Sequence, residues 1–299
     1  MARKTRTTMQ PKVSVITSTY REVADGEMEN GRDSMLARTV DSVRAQTLAD
    51  WELWVVADCP PPEDLRKIEQ LLASYEDDRI HLDVTAQRGD LAAAGAAAKI
   101  LGAGRARSAM LAYLDADNEY LPDHLAQSLA LFAQEPDLDV VYCDTHVRLR
   151  NHQPNDFLRS VWPFYPLVGP WMGEPFEWRK PEWNEQGRRR QERFNFIDSS
   201  DAVMSLRAYE ESGGLPELPN YDWQLWRGFL RSGHTRFRHA GHWGVIYWTS
   251  SLDHHRRHYM ASQISAIDLP PGLPLDLNTM DQLLNFNREG FYVDRHNNG

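Results

Sequence analysis

Cysteine is scarce in this 299-residue chain, with only Cys59 and Cys143 present. They lie far apart and fit no zinc-ligand spacing, so a disulfide framework and a structural zinc site are excluded, and two small buried thiols are expected. Long apolar runs are missing too: no stretch approaches the roughly 20 residues that span a bilayer. The basic start MARKTRTTMQP has no apolar centre and does not read as a signal peptide. A soluble, cytoplasmic protein without a transmembrane segment is therefore expected. An excess of positive charge is also lacking: 33 Lys and Arg against 43 Asp and Glu leave a formal net charge of −10. That balance disfavours wholesale nucleic-acid binding. The Gly-x-Gly-x-x-Gly, Walker, Gly-x-Ser-x-Gly and His-Glu-x-x-His patterns are absent, which removes the best support for dinucleotide, P-loop and common hydrolase readings. Internal repeats are absent as well.

What is present is an alternation of strands and helices. After a tail over residues 1–11, Val13-Ser14-Val15-Ile16-Thr17 forms a β-branched run and Trp51 to Ala57 a second strand. Ile80 to Val84, Met110 to Leu114 and Val140 to Cys143 follow as further short strands. Helical spacing marks Met35 to Val43, Glu63 to Tyr75, Ala92 to Arg107 and Pro122 to Gln134. The pattern predicts an α/β/α sandwich around a mainly parallel sheet, with ligands at the carboxyl ends of the strands. A polar loop, Arg21 to Ser34, follows the first strand. Residues 150–195 alternate Pro and Trp and read as an irregular packed excursion. A C-terminal stretch from Leu269 starts Pro-rich and carries one candidate helix, Leu275–Asn287.

Carboxylates at strand ends carry the chemistry. Asp115-Ala116-Asp117 follows the apolar strand MLAYL and offers hard oxygens suited to Mg²⁺ or Mn²⁺ bridged to a diphosphate. Its plain alternative is a structural turn. Asp58 ends the second strand on the same rim, where it is either a turn residue or a hydrogen-bond partner for a base or ribose. Asp222, in Tyr221-Asp222-Trp223-Gln224-Leu225-Trp226, is either a helix N-cap or a general base at a pocket wall. His254, His255 and His258, beside Arg256 and Arg257, supply either a third metal ligand and diphosphate contacts or a solvated charged face. Arg188-Arg189-Arg190 with Arg193 is either a solvated loop or a contact for an anionic acceptor.

Taken in order, Val13 to Tyr20, Asp41-Ser42-Val43-Arg44-Ala45-Gln46-Thr47, WELWVVAD, YLDADNEYLPDHL and Asp222-Trp223-Gln224-Leu225-Trp226 resemble the inverting family 2 glycosyltransferases of GT-A fold, over roughly residues 12–250. The resemblance implies a catalytic domain over 12–250, with a nucleotide-sugar half (12–145), an acceptor half (146–250) and a C-terminal extension or lid (251–299). It implies that Thr17, Ser18 and Tyr20 cradle the nucleoside, that Asp58 contacts the base, and that Asp115 and Asp117 hold the metal and diphosphate, with His254 and His255 as further ligands. Asp222 becomes the catalytic base, with Trp223 and Gly214, in Gly213-Gly214-Leu215, beside the donor. The implied cofactor is Mn²⁺ or Mg²⁺ and the implied donor a nucleoside-diphosphate sugar, a UDP-sugar first. The acceptor is left open among a saccharide, a lipid-linked sugar, a natural product, a protein and a modified nucleic-acid base; oligomeric state is unassigned. Three departures stand out: Arg21 sits where the family often has Asn, Tyr221 replaces an acidic residue before the base, and Ala92–Ala98 lacks an Arg-Asn pair. Diphosphate contacts are then expected from Arg88 or Lys99. The rival readings are a nucleotidyltransferase acting on a sugar phosphate and a non-catalytic nucleotide-sugar-binding module.

Overall fold

The computed structural model describes residues 11–20, 35–90, 93, 95–149, 157–159, 177–183, 189–195, 197–218, 221–234 and 236–249. The strands β1 (Val13–Thr19), β2 (Trp51–Ala57), β3 (Ile80–Val84) and β4 (Met110–Tyr113) pair in parallel in the order β3-β2-β1-β4. Helices α1 (Met35–Arg44), α2 (Pro62–Ala73) and α3 (Ala96–Ala103) lie between them in the chain. Covered on both faces, β1 and β2 are almost wholly buried, and this is why both read as continuous apolar runs rather than alternating ones.

The second half of the sheet is mixed. The short β5 (Glu119–Tyr120) and helix α4 (His124–Gln134) lead into β6 (Val140–Leu149). Strand β10 (Ala202–Ser205) lies antiparallel between β4 and β6, and β11 (Phe237–Thr249) runs parallel to β6 and antiparallel to β5. The result is a nine-stranded sheet ordered β3-β2-β1-β4-β10-β6-β11-β5, with β7 (Phe157–Arg159) paired to β6. A separate hairpin pairs β8 (Glu177–Trp183) with β9 (Arg189–Asn195). The expected parallel pairing thus holds from β3 to β4, and the antiparallel β10 joins that half to the rest.

Two apolar layers pack on the sheet. On one face Leu36, Val40 and Val43 of α1, Ile68 of α2, and Leu125 and Phe132 of α4 meet Val13, Val15, Leu53 and Val55. On the other, α3 joins α5 (Leu206–Glu211) and α6 (Tyr221–Arg231), whose Ala208, Leu225, Trp226 and Phe229 meet Ile16, Leu111 and Tyr113. Alternation along β1 sends Val15 to one layer and Ile16 to the other. The helix expected over Ala92–Arg107 is shorter, Ala96–Ala103. It begins only after Gly95, whose φ of 81° is a left-handed turn; a Cβ there would lie 2.8 Å from Ser18 Oγ. No helix among the described residues is long and apolar enough to cross a membrane. The candidate helix Leu275–Asn287 lies outside the described residues.

Candidate active site

The carboxyl ends of β1, β2 and β4 form one rim. At the end of β2, Asp58 is 7% exposed, and its Oδ1 accepts hydrogen bonds from Thr85 Oγ1 (3.0 Å) and Gly89 N (2.9 Å). Its own amide donates to Thr19 O at 2.7 Å, which ties β2 to β1 at the rim. The next residue, Cys59, has a φ of 44°, unusual for a residue with a side chain, and this bend turns the chain toward the prolines that open α2. Arg88 stacks over the Tyr20 ring with its guanidinium carbon 3.5 Å from the centroid, on the loop that Asp58 holds. Ser18 sits under the start of α3. Thr17 is fully buried and its Oγ1 has no hydrogen-bond partner among the described residues, so its side chain belongs to the interior.

The Asp115–Asp117 segment is clamped from two sides. From α1, Thr39 Oγ1 donates to Asn118 O (2.7 Å) and Asp115 O (3.4 Å), and Arg38 donates to Asp117 O at 3.4 Å. From β11, the Trp248 amide donates to Asn118 Oδ1 at 3.1 Å, while Trp248 Nε1 donates to Glu119 at 2.6 Å. Arg38 closes the clamp through an ion pair with Glu119 at 3.1 Å and a stack on Trp248. The loop's backbone is thereby fixed, while both aspartates remain partly exposed.

Behind Asp115 stands a buried ammonium. Lys99 of α3 is fully buried, and its Nζ lies 2.6 Å from Asp115 Oδ1, 2.6 Å from Tyr221 OH and 3.3 Å from Ser199 Oγ. Desolvating an ammonium costs several kcal/mol, on the order of the penalty that a close carboxylate offsets. Burial pulls the Lys99 pKa down, but the Asp115 charge and the Tyr221 hydroxyl outweigh it, and the net direction is up: Lys99 stays charged. Burial drives the Tyr221 phenol the other way from ionisation, raising its pKa against the pull of Lys99. Among the described residues, Asp115 Oδ2 receives only a long 3.4 Å contact from Ser200 Oγ, and the carboxylate side chain is 28% exposed. A carboxylate held at one oxygen and open at the other is a donor set suited to a small divalent cation that keeps some waters and phosphate oxygens. Among the described residues no group of three or more His, Cys, Asp or Glu side chains gathers around one point.

Tyr221 opens α6 and Asp222 follows it in the first turn, so the Lys99 contact brings that turn to the β4 rim. Asp222 is partly buried, and Trp223 lies in the same turn. Gly214 has a φ of 72°, and its amide donates to Tyr209 O at 2.9 Å; it ends α5 and packs on the Tyr209 ring, a placement that accounts for the glycine as a helix stop. His254 and His255 lie outside the described residues, as do most of the Trp-rich excursion and the basic residue Arg188.

The segment that sequence reasoning passed over is Ile197-Asp198-Ser199-Ser200-Asp201. Its two serines reach Lys99 and Asp115, and it forms a 3-10 turn with a reciprocal cap: Asp198 Oδ1 accepts from Ser200 N (2.9 Å) and Asp201 Oδ2 from Asp198 N (3.3 Å). Thr145 Oγ1 donates to Asp201, and Trp226 Nε1 donates to Ile197 O at 2.8 Å. The signal was a capping pattern, Asp-Ser-Ser-Asp, directly before an apolar strand.

A parallel sheet with an inserted antiparallel strand, and a paired-carboxylate loop at the rim facing a helix start, defines the GT-A class of fold. Residues 14–212, about two thirds of the chain, match the family described as Glycosyl transferase family 2, and the chain belongs to that family. Solved structures agree on the fold. S. aureus TarS residues 1–349 align over 93% of this chain and 71% of that one, with a TM-score of 0.51 at 13% identity; the same fragment in complex with UDP gives 0.52 at 14%, over 95% and 73% of the two chains. GalNAc-T7 with UDP, GalNAc and Mn²⁺ aligns over 80% of this chain and 44% of that one, with a TM-score of 0.54 at 14% identity. A curated relative, "Uncharacterized protein y4gI" of Sinorhizobium fredii, is 28% identical over 134 residues, which is 45% of this chain but 13% of that protein's length.

Proposed function

We propose that this family 2 chain is an inverting glycosyltransferase that moves a sugar from a nucleoside-diphosphate sugar, a UDP-sugar first, to an acceptor hydroxyl or other nucleophile. The observation that carries the reading is the Asp115–Lys99–Tyr221 chain of contacts, which draws the start of α6, and Asp222 with it, to the rim where Asp115 and Asp117 stand. Asp58, Ser18, Tyr20 and Arg88 surround the nucleoside end of the same rim, and the UDP complexes of TarS and GalNAc-T7 support a nucleotide as its ligand.

Asp115 and Asp117 would hold Mn²⁺ or Mg²⁺, and that ion would neutralise charge developing on the departing diphosphate. Asp222 accepts the proton of the acceptor nucleophile. The nucleophile's lone pair forms a bond to the anomeric carbon as the bond to the diphosphate oxygen breaks, so the configuration inverts. Arg88, held on the Tyr20 ring beside Asp58, contributes a fixed positive charge toward the diphosphate end. Lys99 has no such role: its three acceptors occupy all three N–H bonds.

A panel of nucleotide sugars, each offered with and without Mn²⁺, tests the reading by thermal shift and product analysis. A donor at a hundred times its Kd raises stability by about 2.7 kcal/mol. The matching donor is expected to raise the melting temperature in a Mn²⁺-dependent way and to release nucleoside diphosphate during turnover. Pyrophosphate release would favour the nucleotidyltransferase instead. Asp222→Asn should bind the donor normally and lose turnover by about 10²–10⁴-fold; full turnover in that variant removes Asp222 as the base.

A further inference from the structure

We propose that Lys99 is a positioning residue that holds Asp115 and the first turn of α6 in a single register, so that the donor-side carboxylate and the base are set by one buried cation. The inference rests on the assignment above of Asp115 to the donor and Asp222 to the acceptor.

Three elements converge on the Lys99 ammonium, and it contacts all three at once. Asp115 comes from the end of β4, Ser199 from the turn before β10, and Tyr221 from the start of α6. An ammonium has three N–H donors, and each finds an acceptor, so Lys99 has nothing left to offer a ligand and no exposed surface from which to offer it. Its position in α3 is fixed in turn, because Gly102, one turn further along that helix, packs so closely on Ile16 and Val56 that a Cβ there would lie 2.3 Å from Ile16 Cγ2. The sheet thus sets α3, α3 sets Lys99, and Lys99 sets two groups of opposite substrate roles. One oxygen of Asp115 is pinned and the other left outward; Asp117 follows two residues later, and Asp222 sits one residue beyond the pinned Tyr221. A buried lysine in an Ala-rich helix is otherwise a poor choice for packing, since the same site filled by Met or Leu would need no partners.

The two arms of this strut predict different kinetic signatures. Lys99→Met frees both arms. Its affinity for UDP with Mn²⁺, measured by calorimetry at a temperature where circular dichroism shows the fold intact, should fall about tenfold or more, and turnover should fall by about a hundredfold, the scale of an ångström-level misplacement. Tyr221→Phe releases only the α6 arm, so kcat should fall about tenfold while the UDP Kd stays within about twofold of wild type. Lys99→Arg, which keeps the charge, should recover part of the nucleotide affinity. A merely structural lysine would lower the melting temperature and leave Kd and kcat unchanged in the folded protein; that result in Lys99→Met overturns the proposal. Should Lys99→Met fail to fold, Tyr221→Phe carries the test, and parallel loss in Kd and kcat counts against the strut. If wild type binds no nucleoside diphosphate at all, the donor reading has failed. The strut is then read by unfolding alone: Asp115→Asn and Tyr221→Phe must be non-additive through their shared lysine, and strict additivity sinks it.

Discussion

Two buried charge clusters sit at opposite ends of the same parallel strands, and they are built the other way round. At the amino ends, Glu52 is almost fully buried, and its partner Arg107 reaches out to solvent with 56% of its side chain exposed. Every lone pair of that carboxylate is engaged: Ser14 Oγ donates at 2.5 Å, the Arg107 amide at 2.8 Å, and the guanidinium at 2.5 Å through both Nε and Nη2. At the carboxyl ends the cation is buried and the carboxylate, Asp115, is the open member. A carboxylate saturated from within is a staple; one pinned at a single oxygen and partly exposed keeps the other oxygen for the ligand role proposed above. The orientation of the pair, not its presence, separates architecture from chemistry.

Matched substitutions break that comparison most sharply. Asp115→Asn strands the Lys99 ammonium and opens the donor rim, so turnover with the matching donor should drop by about a hundredfold or more. Glu52→Gln strands donors at the other end. It should cost about 3 kcal/mol in denaturant unfolding, toward the low end for a broken buried pair because Arg107 is half in water, with the donor KM unchanged. Turnover lost in Glu52→Gln beyond its unfolded fraction would erase the distinction. Gly102→Ala tests the link between the sheet and Lys99. Its Cβ must displace Ile16 or Val56, at a cost of about 1–3 kcal/mol, and by shifting α3 it should also weaken UDP binding several-fold.

The smallest effect lies away from both clusters. His124, at the start of α4, is fully buried with Nδ1 3.4 Å from His242 Nε2, and burial, helped by His242, pushes its pKa from 6.5 to about 3. The folded chain therefore refuses a proton that the unfolded chain accepts below pH 6.5. Stability from this group is fully present above that value and is lost as pH falls toward 3, by up to about 1.4 kcal/mol per pH unit. Melting temperatures between pH 7 and pH 5 should fall in wild type and fall less steeply in His124→Phe; identical slopes would mean that His124 takes up its proton in the folded state.

The first half of the fold was legible because its sheet is parallel and covered. Val13 to Thr19 and Trp51 to Ala57 must be apolar on both faces, and Leu36, Val40 and Val43 must recur at helical spacing to cover them. The strand-end aspartates were legible for the same reason, since a carboxylate directly after such a run can only stand at the rim. Three things were not. Ser199 and Ser200 are ordinary small polar residues until Trp226 and Thr145 fasten their turn beside β4. Lys99 looks like any helix lysine, and only its contacts with three separate elements, a long-range fact, reveal it as interior. Thr17 reads as a rim residue, yet strand alternation turns its hydroxyl to the face of Val13 and Val15.

Strand β10 has a mechanical consequence. Because it is hydrogen-bonded to β4 on one side and β6 on the other, the parallel strands that carry the rim and the strands that follow them cannot swing apart like the leaves of a hinge without tearing backbone ladders. Any motion that keeps those ladders intact is confined to the segments beyond the strand ends, and Asp115 and Asp117, directly after β4, are anchored to a continuous sheet.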